Sequence, residues 1–493
     1  MKPAPTRPAG LPDLGRPLPV LALMLLFALV WLGHLQSVAL SAPMDNVEQW
    51  VWRLSLQWGY HKHPPFPTWA LWAAHAVAGR HALTAAIVGA GLSLLSIGLM
   101  HALLRQTCSG FAAWLGLLAA LLITFYNGRL NYYNHNILLM VFVALTVYSW
   151  WQILQSGRTG WWILLGLSAG LGMLSKYQYL LIVPPSLVCL AWLRPWQSRK
   201  TLLQLALALA LALLLFLPHA LWLLNQPGGD SPLGYASQTA RPALFGGEAP
   251  LAALLHSGNW LLDLVLNRCL PAWLLLLGVR LWLRRTDRDA LARSGPQPTG
   301  AGVRADSFLL LWGLLPACTI TALGVVMGMD LQLQWGTAFA LWLVPAGLVL
   351  LKLQRVSPAP RLWGVALGLW LALQLLLLAH SHSTSSAGCC TNDKWRNFDT
   401  PAIARELDAS AREKVGGQFR VLVGAASTMG AIAMALPDRP RVLIEGRLRI
   451  SPWITAEDLA GPGVVQLFAP GQAPADAVQL PNGWSWRVFK PQP

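Results

Sequence analysis

Residues 44–69 read MDNVEQWVWRLSLQWGYHKHPPFPTW, a short segment that is dense in ionisable and aromatic side chains. Apolar runs flank it at about 18–40 and about 82–104, and each is long enough to cross the hydrocarbon core of a bilayer. A polar segment between two such runs is a loop at the membrane surface. The sequence therefore predicts a membrane protein that gathers ionisable groups at a lipid–water boundary.

The composition of the whole chain supports this prediction. Hydrophobic residues make up 55% of the 493 residues and charged residues only 11%, whereas a soluble domain carries roughly 25% charged residues. The net charge of +16 comes mostly from short loops between apolar runs, which is typical of cytoplasmic loops and argues against nucleic-acid binding. The six cysteines have no zinc-ligand spacing and indicate no redox function.

The alternation of basic loops predicts about eleven transmembrane spans, with a range of about eleven to thirteen. The predicted spans lie at about 18–40, 82–104, 112–127, 137–154, 161–176, 178–193, 201–224, 257–282, 307–328, 336–351 and 361–379. Lys2, Arg7 and Arg16 precede the first span, which places the N-terminus in the cytoplasm and the loop at 41–69 outside. Residues 66–80 form an interfacial helix in an alternative interpretation.

The sequence beyond about residue 385 differs from the apolar part. An amphipathic helix is predicted over TPAIARELDASAREK, and β-branched runs at FRVLVGA and RPRVLIEG flank a helical segment, a β-α-β rhythm. We therefore predict a transmembrane domain over residues 1–384 and a small α/β domain over residues 385–493 on the outer face.

Polar groups at membrane depth are costly, so their clusters are functional candidates. The predicted outer face gathers Asp45, Glu48, Tyr60, His61, Lys62, His63, Arg129, Asn131, Asn134, His135, Asn136, Lys176, Tyr177 and Tyr235, with His219 about one turn inside it. Acids can orient or deprotonate an acceptor, while Lys and His can hold a phosphate. Structural roles remain open for the same residues: a solvated helix start, snorkelling lysines, helix caps and a core histidine.

Four stretches in fixed order resemble a known group. They are GYHKHPPFPTW (59–69), YNHN (133–136), GLGMLSKY (170–177) and PHALW (218–222) followed by LGYA (233–236). These stretches resemble bacterial membrane glycosyltransferases of the dolichyl-phosphate-mannose protein mannosyltransferase superfamily, which includes the lipid A aminoarabinose transferase and has the GT-C fold. The tail segment RPRVLIEGRLRISPW (439–453) also resembles the outer domain of bacterial members. The resemblance covers nearly the whole chain.

The resemblance implies roles for individual residues. Asp45 matches the acid on which catalysis depends, and Glu48 is a possible second acid. Lys62, His63 and Lys176 are the implied ligands of the donor phosphate. The candidate substrate-binding residues, which come from the outer-face cluster, are Tyr60, Arg129, Asn134, Asn136, Tyr177, His219 and Tyr235. No cofactor or metal ligand is implied, although a divalent metal stays open. The chain has Asn46 where many relatives have a second first-loop acid, and Asn134 and Asn136 where several relatives carry an acid.

The resemblance also implies a function. The expected donor is a polyprenyl-phosphate sugar, with undecaprenol as the bacterial lipid, and the expected acceptor is lipid A phosphate or a lipopolysaccharide core sugar. Transfer is expected at the periplasmic face of the bacterial inner membrane, which is also the expected location of the C-terminal domain. The alternatives are a protein O-glycosyltransferase with the same donor, a flippase or transporter of lipid-linked sugar, and a membrane scaffold without catalytic activity. A transporter predicts charged groups at mid-bilayer and an internal repeat, and the sequence indicates neither.

Overall fold

A computed structural model of the chain describes residues 17–226, 230–239, 250–287, 305–357, 360–383 and 395–490. Its first nine helices are α1 Pro17–Val38, α2 Met44–Trp52, α3 Phe66–Ala78, α4 Ala82–Thr107, α5 Gly110–Ala120, α6 His135–Ser156, α7 Thr159–Ser175, α8 Val183–Leu193 and α9 Arg199–Leu224. The others are α10 Pro232–Thr239, α11 Pro250–Leu262, α12 Leu270–Thr286, α13 Ala305–Met327, α14 Thr337–Leu350, α15 Pro360–Ser383, α16 Thr400–Ala411, α17 Ala426–Ala435 and α18 Ala456–Ala460.

The chain is a multi-pass membrane protein. Within the described ranges, eight helical stretches are long and apolar enough to cross a bilayer, and Leu251–Arg268 with Leu270–Thr286 forms a ninth that is bent by 61°. The predicted spans at 112–127 and 161–176 correspond to two shorter apolar helices, α5 and α7. Each predicted span therefore has a helical counterpart. Residues 1–16 and 288–304, which contribute to the predicted orientation, lie outside the described residues.

One predicted span ends earlier than its apolar sequence indicates. Helix α5 stops at Ala120, and residues 121–134 form consecutive turns that are mostly buried. Distant groups satisfy the polar backbone of these turns: Gln374 donates to the Leu121 carbonyl at 3.0 Å, and the Thr124 amide donates to the Arg268 carbonyl at 3.0 Å. Non-helical backbone at membrane depth is tolerated only where protein or water satisfies it in this way.

The C-terminal part is a small α/β domain, as the sequence predicts. Its strands are β1 Val421–Gly424, β2 Arg441–Ile444, β3 Val464–Phe468, β4 Val478–Gln479 and β5 Ser485–Val488. They form one sheet in the order β2-β1-β3-β5-β4, in which β1 is parallel to β2 and β3 while β5 is antiparallel to β3 and β4. Helix α17 connects the parallel pair β1 and β2, the usual crossover of a β-α-β unit.

The loop that carries α2 packs into the core of this domain. Trp50 and Trp52 are buried in one cluster with residues of α16, α17 and the sheet. Gly430 permits this close packing, because a Cβ there would lie 2.6 Å from Val47 Cγ1 and 2.7 Å from Val51 Cγ2. The α/β domain therefore fixes the position of α2, although about 350 residues separate the two in sequence.

Candidate active site

A cavity of about 660 Å³ opens where α2 meets the ends of the bundle helices. The residues from the predicted site that line it are Asp45, Glu48, Lys62, His63, Asn136, Lys176, Tyr177 and Tyr235. The other lining residues are Met44, Pro64, His135, Gln178, Pro232, Met329, Gln332, Gln334 and Trp335. Segments that lie far apart in the sequence thus meet in one cavity that holds both acids and cations.

Asp45 lies in the first turn of α2 and is held from the N-terminus of α6. Asn134 is the N-cap of α6, where its Oδ1 accepts from the amides of Asn136 at 2.9 Å and Ile137 at 3.0 Å. Its Nδ2 donates to Asp45 Oδ2 at 2.6 Å. The amide side chain therefore caps a helix and orients a carboxylate simultaneously, which an aspartate cannot do because it lacks the N–H donor.

The adjacent Asn46 anchors the same turn of α2. Its Nδ2 donates to the Asn131 carbonyl at 2.8 Å, and its Oδ1 accepts from the Tyr133 amide at 2.7 Å. An acid at this position would lack the donor for the first of these bonds. Asn46 therefore has a structural role in this chain and links α2 to the buried turns at 121–134.

Lys176 occupies the break between α7 and a short 3₁₀ helix, Tyr177–Ile182. Its Nζ donates to Asn136 Oδ1 at 2.7 Å and lies 6.0 Å from the centre of the Trp335 ring. Among the described residues, no carboxylate forms an ion pair with it. Burial lowers the pKa of Lys176 to about 7, and the Asp45 charge opposes that shift only partly.

Glu48 and Lys62 form an ion pair at the wall of the cavity. Lys62 Nζ lies 2.6 Å from Glu48 Oε1 and 5.4 Å from the centre of the Tyr235 ring. Burial lowers the pKa of Lys62, but the Glu48 carboxylate stabilises the charged amine more strongly, so the pKa of Lys62 is raised. Burial also raises the pKa of Glu48, and the negative charge of Asp45 raises it further. The positive charge of Lys62 lowers the pKa of Glu48 but does not cancel these two effects.

His63 packs against a residue of the predicted outer-face cluster to which the sequence assigns no role. Its ring centre lies 3.8 Å from that of His135, the first residue of α6. Burial lowers the pKa of His63 well below its usual value, and the charges of Lys176 and Lys62 add to the shift. His63 is therefore neutral near pH 7, so it offers hydrogen-bonding ring nitrogens to the cavity and no positive charge.

Besides Asn134, three residues of the predicted site lie outside the cavity lining. Tyr60 stacks on Trp52, and its hydroxyl donates to the Ser55 carbonyl at 2.9 Å. His219 is buried, with Nε2 2.7 Å from the Tyr177 hydroxyl. Arg129 lines a different cavity. The first two hold the walls of the cavity, since His219 orients Tyr177 and Tyr60 packs in the core that supports α2.

Sequence reasoning missed several lining residues. Gln178 follows Lys176 by two positions, and its side-chain Nε2 and Oε1 are both buried without a hydrogen-bond partner among the described residues. Gln332, Gln334 and Trp335 come from the short segment between α13 and α14. The polar residues of MGMDLQLQW were the available signal, because this predicted outer turn lies at the same end of the bundle as the other candidate residues.

The described residues contain no group of three or more His, Cys, Asp or Glu side chains that could hold a metal ion. The first-loop acids and the asparagines at 134 and 136 thus do not form a carboxylate cage of the kind that Mg²⁺ or Ca²⁺ prefers.

Comparisons with known proteins agree with this architecture. The family model of dolichyl-phosphate-mannose-protein mannosyltransferases matches residues 62–222. The chain is 28% identical over 221 residues to the lipopolysaccharide core galacturonosyltransferase RgtA of Rhizobium johnstonii, covering 43% of this chain and 42% of RgtA. It is 25% identical over 151 residues to the lipid A galacturonosyltransferase RgtD of the same organism, covering 30% of this chain and 31% of RgtD. The chain thus matches less than half the length of these curated relatives.

Solved structures match over a larger share of the chain. The crystal structure of ArnT from Cupriavidus metallidurans bound to undecaprenyl phosphate has a TM-score of 0.61 at 14% identity, covering 96% of this chain and 98% of ArnT. An oligosaccharyltransferase of Archaeoglobus fulgidus in the apo form has a TM-score of 0.51 at 14% identity, covering 92% of this chain and 69% of that protein.

The protein therefore has the GT-C fold of membrane glycosyltransferases, with a small sheet domain at its C-terminus. Within that class, it is similar to ArnT in fold and to bacterial glycosyltransferases of lipopolysaccharide in sequence.

Proposed function

We propose that this protein transfers a sugar from a polyprenyl phosphate, undecaprenyl phosphate in a bacterium, to a lipopolysaccharide acceptor at the periplasmic face of the inner membrane. The observation that carries the proposal is that the Asp45 carboxylate and the buried Lys176 ammonium line the same cavity. The similarity to RgtA and RgtD supports a lipid A or core acceptor. The fold shared with ArnT, whose crystal structure holds undecaprenyl phosphate, supports the donor.

The proposed chemistry is a displacement at the anomeric carbon of the donor sugar. An acceptor oxygen forms a bond to this carbon as its bond to the phosphate oxygen breaks, and the polyprenyl phosphate leaves with the electron pair. If the acceptor is a hydroxyl, its proton passes to Asp45; if it is a phosphate, no proton moves and Asp45 only orients the reactants. Positioning and charge neutralisation together account for the catalysis in this scheme.

Lys176 and Lys62 would neutralise the leaving phosphate. Lys176 is the stronger candidate, because its hydrogen-bond partner Asn136 is neutral whereas Lys62 is paired with Glu48. In this scheme Glu48 positions Lys62 and is not a second base. The neutral His63 and the unpartnered amide of Gln178 supply hydrogen bonds to phosphate oxygens or sugar hydroxyls.

The transferred sugar is proposed to be a hexose or pentose, and a galacturonosyl group is the first to test. Both RgtA and RgtD carry galacturonosyltransferase names. A protein hydroxyl is the second acceptor to test, because the matching family model describes protein mannosyltransferases. A transport function is less favoured, since the ionisable groups gather where α2 closes the cavity and not along a path through the bundle.

The experiment compares the purified protein with Asp45→Asn in liposomes that hold a polyprenyl-phosphate sugar and lipid A. We expect a mass increase of one glycosyl unit on lipid A with the unmodified protein, and loss of that transfer in Asp45→Asn with polyprenyl-phosphate binding intact. Arg158→Gln is the control, because Arg158 is exposed and lines neither cavity. Full activity of Asp45→Asn, or a glycosylated protein with unmodified lipid, would overturn the proposal.

A further inference from the structure

A third cavity, of about 280 Å³, lies against the face of α2 that points away from the candidate active site. Val47 and Trp50 of α2 line it, whereas Asp45 and Glu48, on the other face of the same helix, line the candidate active site. The remaining walls come from the chain between α1 and α2, from the start of α4, and from α16 and α17 of the C-terminal domain. The first loop, the membrane domain and the C-terminal domain therefore meet at this space, which we call the junction cavity.

Cations from both domains line the junction cavity. Arg80 directly precedes His81 at the start of α4, and Arg439 lies between α17 and β2 in the C-terminal domain. Arg439 Nη1 donates to the Arg80 carbonyl at 3.3 Å, although the two arginines are 359 residues apart in sequence. Within the described ranges, no aspartate or glutamate lines the cavity. Like charges held close together repel each other unless an anion offsets them.

Arg53 is a third cation beside the junction cavity, and it is buried. The residue is only 6% exposed, and its guanidinium carbon lies 5.0 Å from the centre of the Trp50 ring. Its buried Nε has no hydrogen-bond partner in the part of the chain that the structure describes. Burial lowers the pKa of Arg53 to about 10, and the charges of Arg80 and Arg439 add to that shift. Because buried arginines are normally paired, the unpartnered Nε indicates a missing anionic ligand.

The acid closest to these arginines in sequence is engaged elsewhere. Asp438 precedes Arg439, but it forms an ion pair with Arg412 at 3.1 Å. Among the described residues, no carboxylate forms an ion pair with Arg53, Arg80 or Arg439. The protein therefore leaves the positive charge of the junction cavity for an external anion, and arginine forks bind phosphate with two parallel hydrogen bonds.

The start of α4 adds to the positive potential of the junction cavity. His81 is the N-cap of α4 and makes no side-chain capping bond, and both His81 and Ala82 line the cavity. The first amides of an α-helix have no partner within the helix and carry partial positive charge, which favours a phosphate. Helix α16 also begins at this cavity, with Thr400, but the side chain of Asp399 already caps it.

Lipid-facing apolar surface borders the junction cavity. Helix α1 ends and α4 begins next to it, and both are membrane spans by length and hydropathy. Val77, Leu83 and Ile87 lie within two turns of His81 in the sequence and are 91%, 48% and 54% exposed. The cavity is smaller than those that enclose a drug-sized ligand, so it holds a headgroup while acyl chains lie outside along such side chains. Basic pockets at the ends of membrane spans bind anionic lipid headgroups in this way.

We propose that the junction cavity binds the phosphate of an anionic phospholipid. Arg80 and Arg439 bind the phosphate oxygens, and Arg53 offsets the negative charge from the buried side. The bound lipid joins the C-terminal domain to the membrane domain behind α2. This lipid is neither the donor nor the acceptor of the proposed reaction, so the inference does not depend on the proposed function. Inorganic phosphate has the same chemistry and is the source that the test separates from the lipid.

The test compares the unmodified protein with the double variant Arg80→Gln/Arg439→Gln in nanodiscs of phosphatidylcholine, with and without added phosphatidylglycerol. Arg158→Gln/Arg405→Gln is the matched control, because it removes one exposed arginine from each domain and neither residue lines any of the three cavities. We expect phosphatidylglycerol to raise the thermal unfolding temperature of the unmodified and control proteins but not that of the double variant.

Nanodiscs of phosphatidylcholine alone distinguish a ligand site from a merely structural role of the arginines. Without an anionic lipid, the double variant should unfold at a temperature no lower than the control, because it has lost a repulsion between cations. A lower unfolding temperature there would mean that the two arginines stabilise the junction without an anion, and it would overturn the inference.

Binding itself is measured by native mass spectrometry with titrated phosphatidylglycerol. We expect the double variant to bind this lipid about tenfold more weakly than the control, the usual cost of losing hydrogen bonds between charged groups. Inorganic phosphate, added to the protein in phosphatidylcholine nanodiscs, is the arm for the free ion. Equal binding of phosphatidylglycerol by the double variant and the control, or stabilisation by inorganic phosphate as large as that by the lipid, contradicts the proposed phospholipid site.

Discussion

The amide of Asn134 donates to the carboxylate of Asp45 at 2.6 Å while its oxygen caps helix α6. One asparagine thus connects the start of a membrane-spanning helix with the acid in the first loop. Substitutions can remove one function of Asn134 and keep the other, because Nδ2 contacts Asp45 whereas Oδ1 caps the helix.

We expect Asn134→Asp to fold normally and to lose activity. An aspartate keeps the capping oxygen, but it replaces the donor to Asp45 with a second carboxylate, and two adjacent carboxylates do not both stay ionised. Transfer should fall by about a hundredfold, the usual cost of a misplaced reacting group. Asn134→Ala is the comparison, which should lose about 1 kcal/mol of stability as well. Thermal unfolding and turnover of both variants check this prediction, and equal activity of Asn134→Asp and the unmodified protein would contradict it.

The ion pair of Glu48 and Lys62 restrains a cation that faces the cavity. Glu48→Gln should release Lys62 for the phosphate, so polyprenyl phosphate binds several times more tightly and, as a product, leaves more slowly. The same variant should lose about 2 kcal/mol of stability, because a mostly buried charge loses its partner. Isothermal titration with polyprenyl phosphate measures the first effect and chemical unfolding the second. Weaker binding in Glu48→Gln would indicate that Glu48 itself contacts the substrate.

The affinity for polyprenyl phosphate should depend on pH through Lys176. The pKa of this group is lowered to about 7 in the free protein, so above pH 7 binding requires the uptake of a proton. Affinity should therefore fall as pH rises from 7 to 9, by up to about tenfold per unit. Lys176→Arg should flatten the profile, because arginine stays charged throughout. The measurement is the dissociation constant of polyprenyl phosphate at several pH values. The same pH dependence in the unmodified protein and in Lys176→Arg would show that Lys176 does not bind the phosphate.

Gly430 couples the C-terminal domain to the first loop through α2. Gly430→Ala adds a methyl group where only 2.6 Å separates its position from Val47 Cγ1, so α2 must shift. We expect a stability loss of about 1–3 kcal/mol, typical of overpacking, and a lower kcat because Asp45 moves with α2. Gly91→Ala is the matched control, since its Cβ would meet open space. Adding Val47→Ala and Val51→Ala should restore part of the activity; no rescue would mean that the contact does not position α2.

The sequence predicts the spans because the apolar runs are long enough to cross the hydrocarbon core and the basic loops between them favour the membrane surface. It does not predict the end of α5 at Ala120, since residues such as Leu121 and Ile123 are as apolar as a helix interior. The buried turns that follow are stabilised by Gln374 and by the Arg268 carbonyl, which lie far away in the sequence. Long-range bonds of this kind leave no local pattern.

The candidate site was predictable to the extent that its residues share one end of the bundle. Asp45, Lys62 and Lys176 were grouped on that basis, and they line one cavity. Arg129 lies at the same end of the bundle but lines a different cavity from Asp45. The path of the turns at 121–134 decides which cavity the side chain faces. Trp335 was missed because Gln332 and Gln334 beside it are uncharged, and Asp330, the charged residue of its segment, was not part of any predicted cluster.

The burial of Trp50 and Trp52 in the C-terminal core has a consequence for biosynthesis. The ribosome completes the partners of these tryptophans about 350 residues after it has made the loop, a delay of roughly 20–70 s at common elongation rates. Helix α2 therefore reaches its final position only when translation is nearly finished. A nascent or prematurely terminated chain would therefore lie in the membrane without a positioned α2.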